Sequence, residues 1–177
     1  MSFSNDVKNE LSRLETNEVC CDKAEVLGVL RMSGAIVIRG MNIGIHFSTE
    51  NAALARRVLQ ILKNNYQVQT EVVITRSRRL KKNNRYQVRV LPAPQVSIAM
   101  NELQLLSMES DLKNPLLNKQ CCKRAFLRGA FLGGGSISRP SSDYHLEMVT
   151  GNEDFARSIL KVMHTFSMMG KLTDRKN

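Results

Sequence analysis

The chain has 177 residues, with 26 Lys and Arg against 16 Asp and Glu, a formal net charge of +10 and a pI of about 9.8. At 42% hydrophobic and 24% charged residues, its composition excludes collagen-like and intrinsically disordered architectures and is that of a folded soluble protein. No apolar run approaches the ~18 residues of a membrane span, and the N-terminus has neither a basic start nor an apolar stretch, so a cytoplasmic address is expected.

Phe3, Val7, Leu11 and Leu14 have helical spacing and predict a helix within residues 1–18. A second helix is predicted over about Asp22–Met32, stopped by Gly34. Strands follow at Ala35–Arg39 and Ile43–Ser48, turning around Gly40. Asn51 then stands as the N-cap of a helix whose apolar face is Leu54, Val58, Ile61 and Leu62. The alternating, β-branched segments Gln69–Thr75 and Tyr86–Leu91 predict a hairpin turning near Lys82, Asn83 and Asn84. With a two-residue turn, Arg76 and Arg78 share a sheet face with Arg85, Gln87 and Arg89, while Tyr86, Val88 and Val90 point to the core. Val72 and Ile74 fit that register poorly, which leaves room for a bulge or a second buried surface. Pro92-Ala93-Pro94 leads into a linker region, residues 92–118, with Val96, Ala99, Met100, Leu103 and Leu106 on one side of a helix.

From Cys121 the pattern repeats at an offset of 101 residues: Cys20-Cys21 recurs as Cys121-Cys122, Gly28 as Gly129, Gly34 as Gly135, Asn51 as Asn152 and Ala55-Arg56 as Ala156-Arg157. The second copy predicts a helix over Lys123–Leu132 ended by the glycines 133–135. Strands at Ser136–Arg139 and Tyr144–Val149 come next, then a helix capped by Asn152 that carries Phe155, Ile159, Val162 and Met163. The expected fold is α+β: two αββαββ lobes, residues 19–91 and 119–177, related by a pseudo-twofold, with helices packed on antiparallel sheets. The counterpart of the first lobe's last hairpin would fall at about 173 to 191, beyond Asn177, so the second lobe is expected to be incomplete and the natural chain longer.

Between Arg56 and Arg89 stand ten bases and one acid, Glu71, so almost the whole charge surplus lies in one fifth of the chain. One reading is a solvated hairpin whose Lys and Arg block edge pairing. The other is a hairpin contacting nucleic-acid phosphates. In it, Arg76, Arg78, Arg79, Arg85 and Arg89 reach phosphates or base edges, Gln87 reads a base, and Lys81 and Lys82 meet the backbone at the loop. Tyr86 is the sole aromatic nearby, which favours double-stranded DNA over single strands as the partner.

The helix ends Val26-Leu-Gly-Val-Leu-Arg-Met-Ser-Gly34 and Leu127-Arg-Gly-Ala-Phe-Leu-Gly-Gly-Gly135 resemble the motif of the LAGLIDADG homing endonucleases. The resemblance implies the two-lobed architecture derived above, with small residues where the two helices touch: Gly28, Gly129 and Gly133. It also implies an acidic Mg²⁺ ligand before each terminal glycine. Here those positions are Ser33 and Gly134, neither with a carboxylate, so no catalytic residue, no cofactor and no nuclease activity are expected.

More closely, Cys121 to Ile137 with Tyr144-His-Leu-Glu147, the opening Ser2-Phe3 and the Cys20-Cys21 helix start resemble the bacterial WhiA family. That resemblance implies a degenerate LAGLIDADG region followed by a C-terminal helix-turn-helix, which is not expected within these 177 residues. It further implies a nucleoid-associated, DNA-binding regulator of sporulation, or of cell division and chromosome segregation. The alternative is a protein-interaction scaffold for other regulatory proteins, with DNA contact supplied by the helix-turn-helix; no membrane or small-molecule partner is expected.

The two cysteine pairs offer four thiols at symmetric positions. Adjacent cysteines depart from Cys-x-x-Cys spacing, and a cysteine at a helix start reads as a small buried apolar residue, so no metal is expected. A structural disulfide is disfavoured by the expected cytoplasmic address. His46, His145 and His164 are scattered and build no catalytic triad. Gly133 to Gly135 follow a helix instead of preceding one and lack the Lys-Ser/Thr of a phosphate loop. Met163, Met168 and Met169 read as core or as surface left bare by the missing strands.

Overall fold

The computed structural model describes residues 2–76, 83–105 and 113–175. Arg78, Arg79, Lys81, Lys82 and Leu106, named above, lie outside them. Ser2 caps α1 (Phe3–Leu11), its hydroxyl accepting from the Asn5 N–H at 3.2 Å. α1 buries none of its own residues fully, and Leu14 lies beyond its end, 45% exposed. Ser4 anchors the helix instead: its hydroxyl donates to the Ile137 carbonyl at 2.8 Å and accepts from the Ile137 N–H at 2.7 Å.

α2 (Val19–Ser33) and α5 (Gln120–Gly134) form the centre of the molecule. Equivalent positions of the two repeats meet along their whole length, so the helices run parallel. A Cβ on Gly28 would lie 2.4 Å from the Phe126 carbonyl oxygen, one on Gly129 2.0 Å from that of Glu25, and one on Gly133 3.1 Å from that of Val29. Only glycine permits so close an approach of two backbones. The terminal glycines act differently from the helix stops expected. Gly133 and Gly134 continue α5, while Gly34 (φ −78°) and Gly135 (φ −95°) are extended and begin β1 (Gly34–Arg39) and β5 (Gly135–Ile137). Their need for glycine is steric, since a Cβ on Gly135 would meet Phe131 Cδ2 at 2.3 Å.

β1 returns through a two-residue turn into β2 (Asn42–Thr49), with Gly40 at φ +61°. That left-handed value at the first turn position suits the right-handed twist of a hairpin. Asn51 caps α3 (Ala52–Asn65) by accepting from the Leu54 N–H at 3.0 Å, and Asn152 caps α6 (Glu153–His164) by accepting from the Phe155 N–H at 2.9 Å. β3 (Thr70–Arg76) and β4 (Asn84–Val90) complete a four-stranded antiparallel sheet in the order β1-β2-β4-β3. α4 (Pro94–Glu102) and a 3₁₀ turn at Pro115–Leu117 precede α5. In the second unit, among the described residues, β5 pairs only with β6 (Leu146–Met148), both shorter than the sequence predicts.

The core joins one sheet face, through Ile45, Phe47, Val88 and Val90, to Leu54, Val58 and Leu62 of α3, Val96 and Met100 of α4, and Leu27 and Leu30 of α2. Each such side chain contributes about 1.5–3 kcal/mol by burial. Phe126 and Phe155 meet edge to face at 5.9 Å, seating α6 on α5. Met169 is 86% exposed and belongs to the surface. Among the described residues, no helix is long and apolar enough to cross a membrane.

Candidate nucleic-acid interface

Residues directly opposite each other in an antiparallel pair share a face. β4 sets Asn84 opposite Arg76, Arg85 opposite Thr75, Gln87 opposite Val73 and Arg89 opposite Glu71. Arg85, Gln87 and Arg89 therefore stand together on the face turned away from the core. Arg76 does not join them. It shares the opposite face with Asn84, Tyr86, Val88 and Val90, which corrects the expected grouping. The physical reason is parity: seven residues connect Arg76 to Asn84, where a two-residue turn was expected. This register also puts Val72 and Ile74 on the side of Val88, so their poor fit to the expected register had a cause.

β2 extends the open face, with His46 opposite Arg89 and Ser48 opposite Gln87. β1 adds Ala35 opposite His46 and, at the hairpin end, Arg39 opposite Asn42. The groups are ordered by one another: Arg89 Nε donates to Gln87 Oε1 at 2.5 Å, and Gln87 Nε2 donates to Ser48 Oγ at 3.4 Å. Glu71 meets Arg89 at 3.4 Å, with side-chain exposures of 47% and 34%. Such a solvated pair is worth about 0–1 kcal/mol, so a phosphate can take the guanidinium from it at little cost. A sheet face carrying arginines and an amide has the shape and donors to lie along a polyanion.

Arg57 belongs to the same basic stretch of sequence but is unavailable to a ligand. It forms an ion pair with Glu25, which is 1% exposed, and donates to the Leu14 carbonyl at 2.5 Å. Arg128 of α5 pairs with the other oxygen of the same carboxylate. This clamp, missed by reading the sequence locally, ties α2, α3 and α5 together.

At the ends of the central helices Ser33 Oγ donates to the Val29 carbonyl at 3.2 Å, and a Cβ on Gly134 would meet Met32 Cγ at 2.6 Å. These positions contribute a hydroxyl and a hydrogen, not the anionic oxygens that Mg²⁺ takes as ligands. At the other ends, the Sγ atoms of Cys20, Cys21, Cys121 and Cys122 all lie within 4.8 Å of one another. Spacing within one adjacent pair disfavours a metal for that pair alone, whereas the parallel helices bring the two pairs together.

Two family models match: the WhiA N-terminal LAGLIDADG-like domain over residues 19–106 and the WhiA LAGLIDADG-like domain over residues 123–177. The chain belongs to the WhiA family. Relatives named "Probable cell division protein WhiA" are similar to it throughout. The protein from Oceanobacillus iheyensis is 40% identical over 100% of this chain and 57% of its own length, and that from Alkaliphilus metalliredigens 39% identical over 99% and 58%. This WhiA chain thus spans somewhat over half the length of the curated relatives it matches.

Among solved structures, the N-terminal LAGLIDADG domain of DUF199/WhiA superposes with a TM-score of 0.73 at 22% identity, covering 99% of this chain and 80% of that one. Full-length DUF199/WhiA from Thermatoga maritima gives 0.65 at 23%, covering 94% and 51%. The homing endonuclease I-WcaI, solved bound to its DNA recognition sequence, gives 0.52 at 12%, covering 89% and 78%. These likenesses establish a LAGLIDADG-like fold.

Proposed function

We propose that this chain is the non-catalytic, DNA-binding LAGLIDADG-like part of a regulator of cell division, chromosome segregation or sporulation. The observation that carries the reading is the open sheet face on which Arg39, Arg85, Gln87 and Arg89 stand with a single acid, Glu71. Duplex DNA is the partner such a face fits, because arginines reach phosphates and a β-ribbon enters a major groove. The absence of carboxylates at Ser33 and Gly134 supports binding without cleavage. Two neighbouring facts point the same way: the relatives are named for cell division, and a protein of this fold has been solved on DNA.

Salt-titrated binding to duplex DNA tests the reading. If the face and the adjoining basic loop neutralise about five phosphates, log K falls against log[salt] with a slope of roughly −4 to −5. A flat salt dependence removes the interface, and Mg²⁺-dependent cleavage of the duplex by the purified chain removes the loss of catalysis.

A second reading, a protein-interaction scaffold, is favoured by Ile36 and Ile38. They lie on the helix side of β1 but are 49% and 76% exposed, an apolar strip at a sheet edge. Changing both to Ser leaves DNA affinity intact and removes protein capture from a cell lysate only if this reading holds.

A further inference from the structure

We propose that Cys20, Cys21, Cys121 and Cys122 bind a single Zn²⁺ ion in a closed tetrathiolate site that staples the first turns of α2 and α5 together. Each pair occupies the second and third positions of its helix. Successive helical positions diverge around the axis, so one pair alone cannot enclose an ion. Two pairs on parallel helices converge from opposite sides, and all four sulfurs already fall within 4.8 Å.

The spacing suits a single tetrahedral ion. Four ligands at ~2.3 Å in a tetrahedron place their sulfurs about 3.8 Å apart. Cys121 and Cys122 stand at 4.0 Å, and the widest pair needs to contract by about 1 Å, within the reach of a change in χ1. An iron–sulfur cluster needs its cysteines spread around an inorganic core and does not fit in this space. Soft thiolates with no carboxylate or water position select zinc over harder cations. All four coordination positions are filled by protein, which makes the site structural.

Both pairs lie in the first turn of their helices, at the positive ends of the two dipoles, where thiolate is stabilised. Cys121 is exposed, which provides a path of entry. Binding displaces a proton from each protonated thiol.

The test uses the whole 177-residue chain, purified under reducing conditions without chelator and dialysed into metal-free buffer. Elemental analysis is expected to find about one zinc per chain and almost none in a Cys21→Ser, Cys122→Ser variant. Chelator-stripped protein titrated with Co²⁺ alone is expected to develop thiolate-to-cobalt charge transfer and tetrahedral d–d bands, saturating at about one equivalent, and Zn²⁺ should bleach them. Should the double variant not fold, Cys121→Ser at the exposed position still reads out, by a weakened charge-transfer band. Zinc below about a tenth of an equivalent with no cobalt spectrum overturns the site, as do one equivalent of iron, a disulfide between the helices in freshly isolated protein, or a cobalt spectrum unchanged by Cys121→Ser.

Discussion

The tightest demand on any single residue is at Gly129, whose missing Cβ leaves room for the Glu25 carbonyl oxygen only 2.0 Å from where it would sit. Gly129→Ala adds helix propensity of roughly 1 kcal/mol, yet it forces α2 and α5 apart. Overpacking of this kind costs about 1–3 kcal/mol or more, and the obstacle here is backbone, so the variant is expected to lose at least ~2 kcal/mol in urea unfolding. Gly151→Ala is the control: nothing lies within 4 Å of its Cβ, and the change is expected to be neutral within ~1 kcal/mol. Glu25 sets the second residue-scale prediction. Glu25→Gln leaves Arg57 and Arg128, 10% and 15% exposed, without a counter-charge, a loss of about 3–5 kcal/mol measurable by the same unfolding. The caps at Asn51 and Asn152 were legible from the chain because a cap is local. The Glu25 clamp was not, since its partners lie 32 and 103 residues away.

At the scale of elements, the β3–β4 hairpin decides which bases can act together. Both strands and the inward side of β4 were readable from alternation, but alternation fixes a face only relative to its own strand. The parity of the connection sets the relation between strands, and it separates Arg76 from Arg85 and Arg89. Arg85→Glu with Arg89→Glu is therefore expected to lower duplex affinity at low salt by about 30- to 150-fold, at about 1–1.5 kcal/mol per reversed charge, and to flatten the salt slope by roughly 2. Arg76→Glu, on the opposite face, is expected to cost under about tenfold through long-range repulsion alone. Equal losses from the two variants would falsify the assignment of the binding face. The glycine run of α5 teaches the same lesson in helices: the residues that meant an end by composition serve as contact surface because a second helix lies against them.

For the whole molecule, the repeat in the sequence announced two related units and the incompleteness of the second, but not how short the second unit's strands are. The first brings a four-stranded sheet, whereas in the second the described strands have three residues each. A two-stranded hairpin is marginal by itself. The second unit is stabilised instead through α5, where Phe126, Ala130 and Leu132 join the same core cluster as Leu27, Phe47 and Val90. Arg128 reinforces this by reaching the carboxylate of α2. Residues from both units then share one core, so the two centres are expected to open together. Native-state hydrogen exchange is expected to give the slowest amides of α2 and α5 the same opening free energy, within about 1 kcal/mol, equal to that of global unfolding. Gly129→Ala should lower both by one amount. If α5 instead opens several kcal/mol below α2, the units are separable, and the second is a docked appendage on a self-sufficient first lobe.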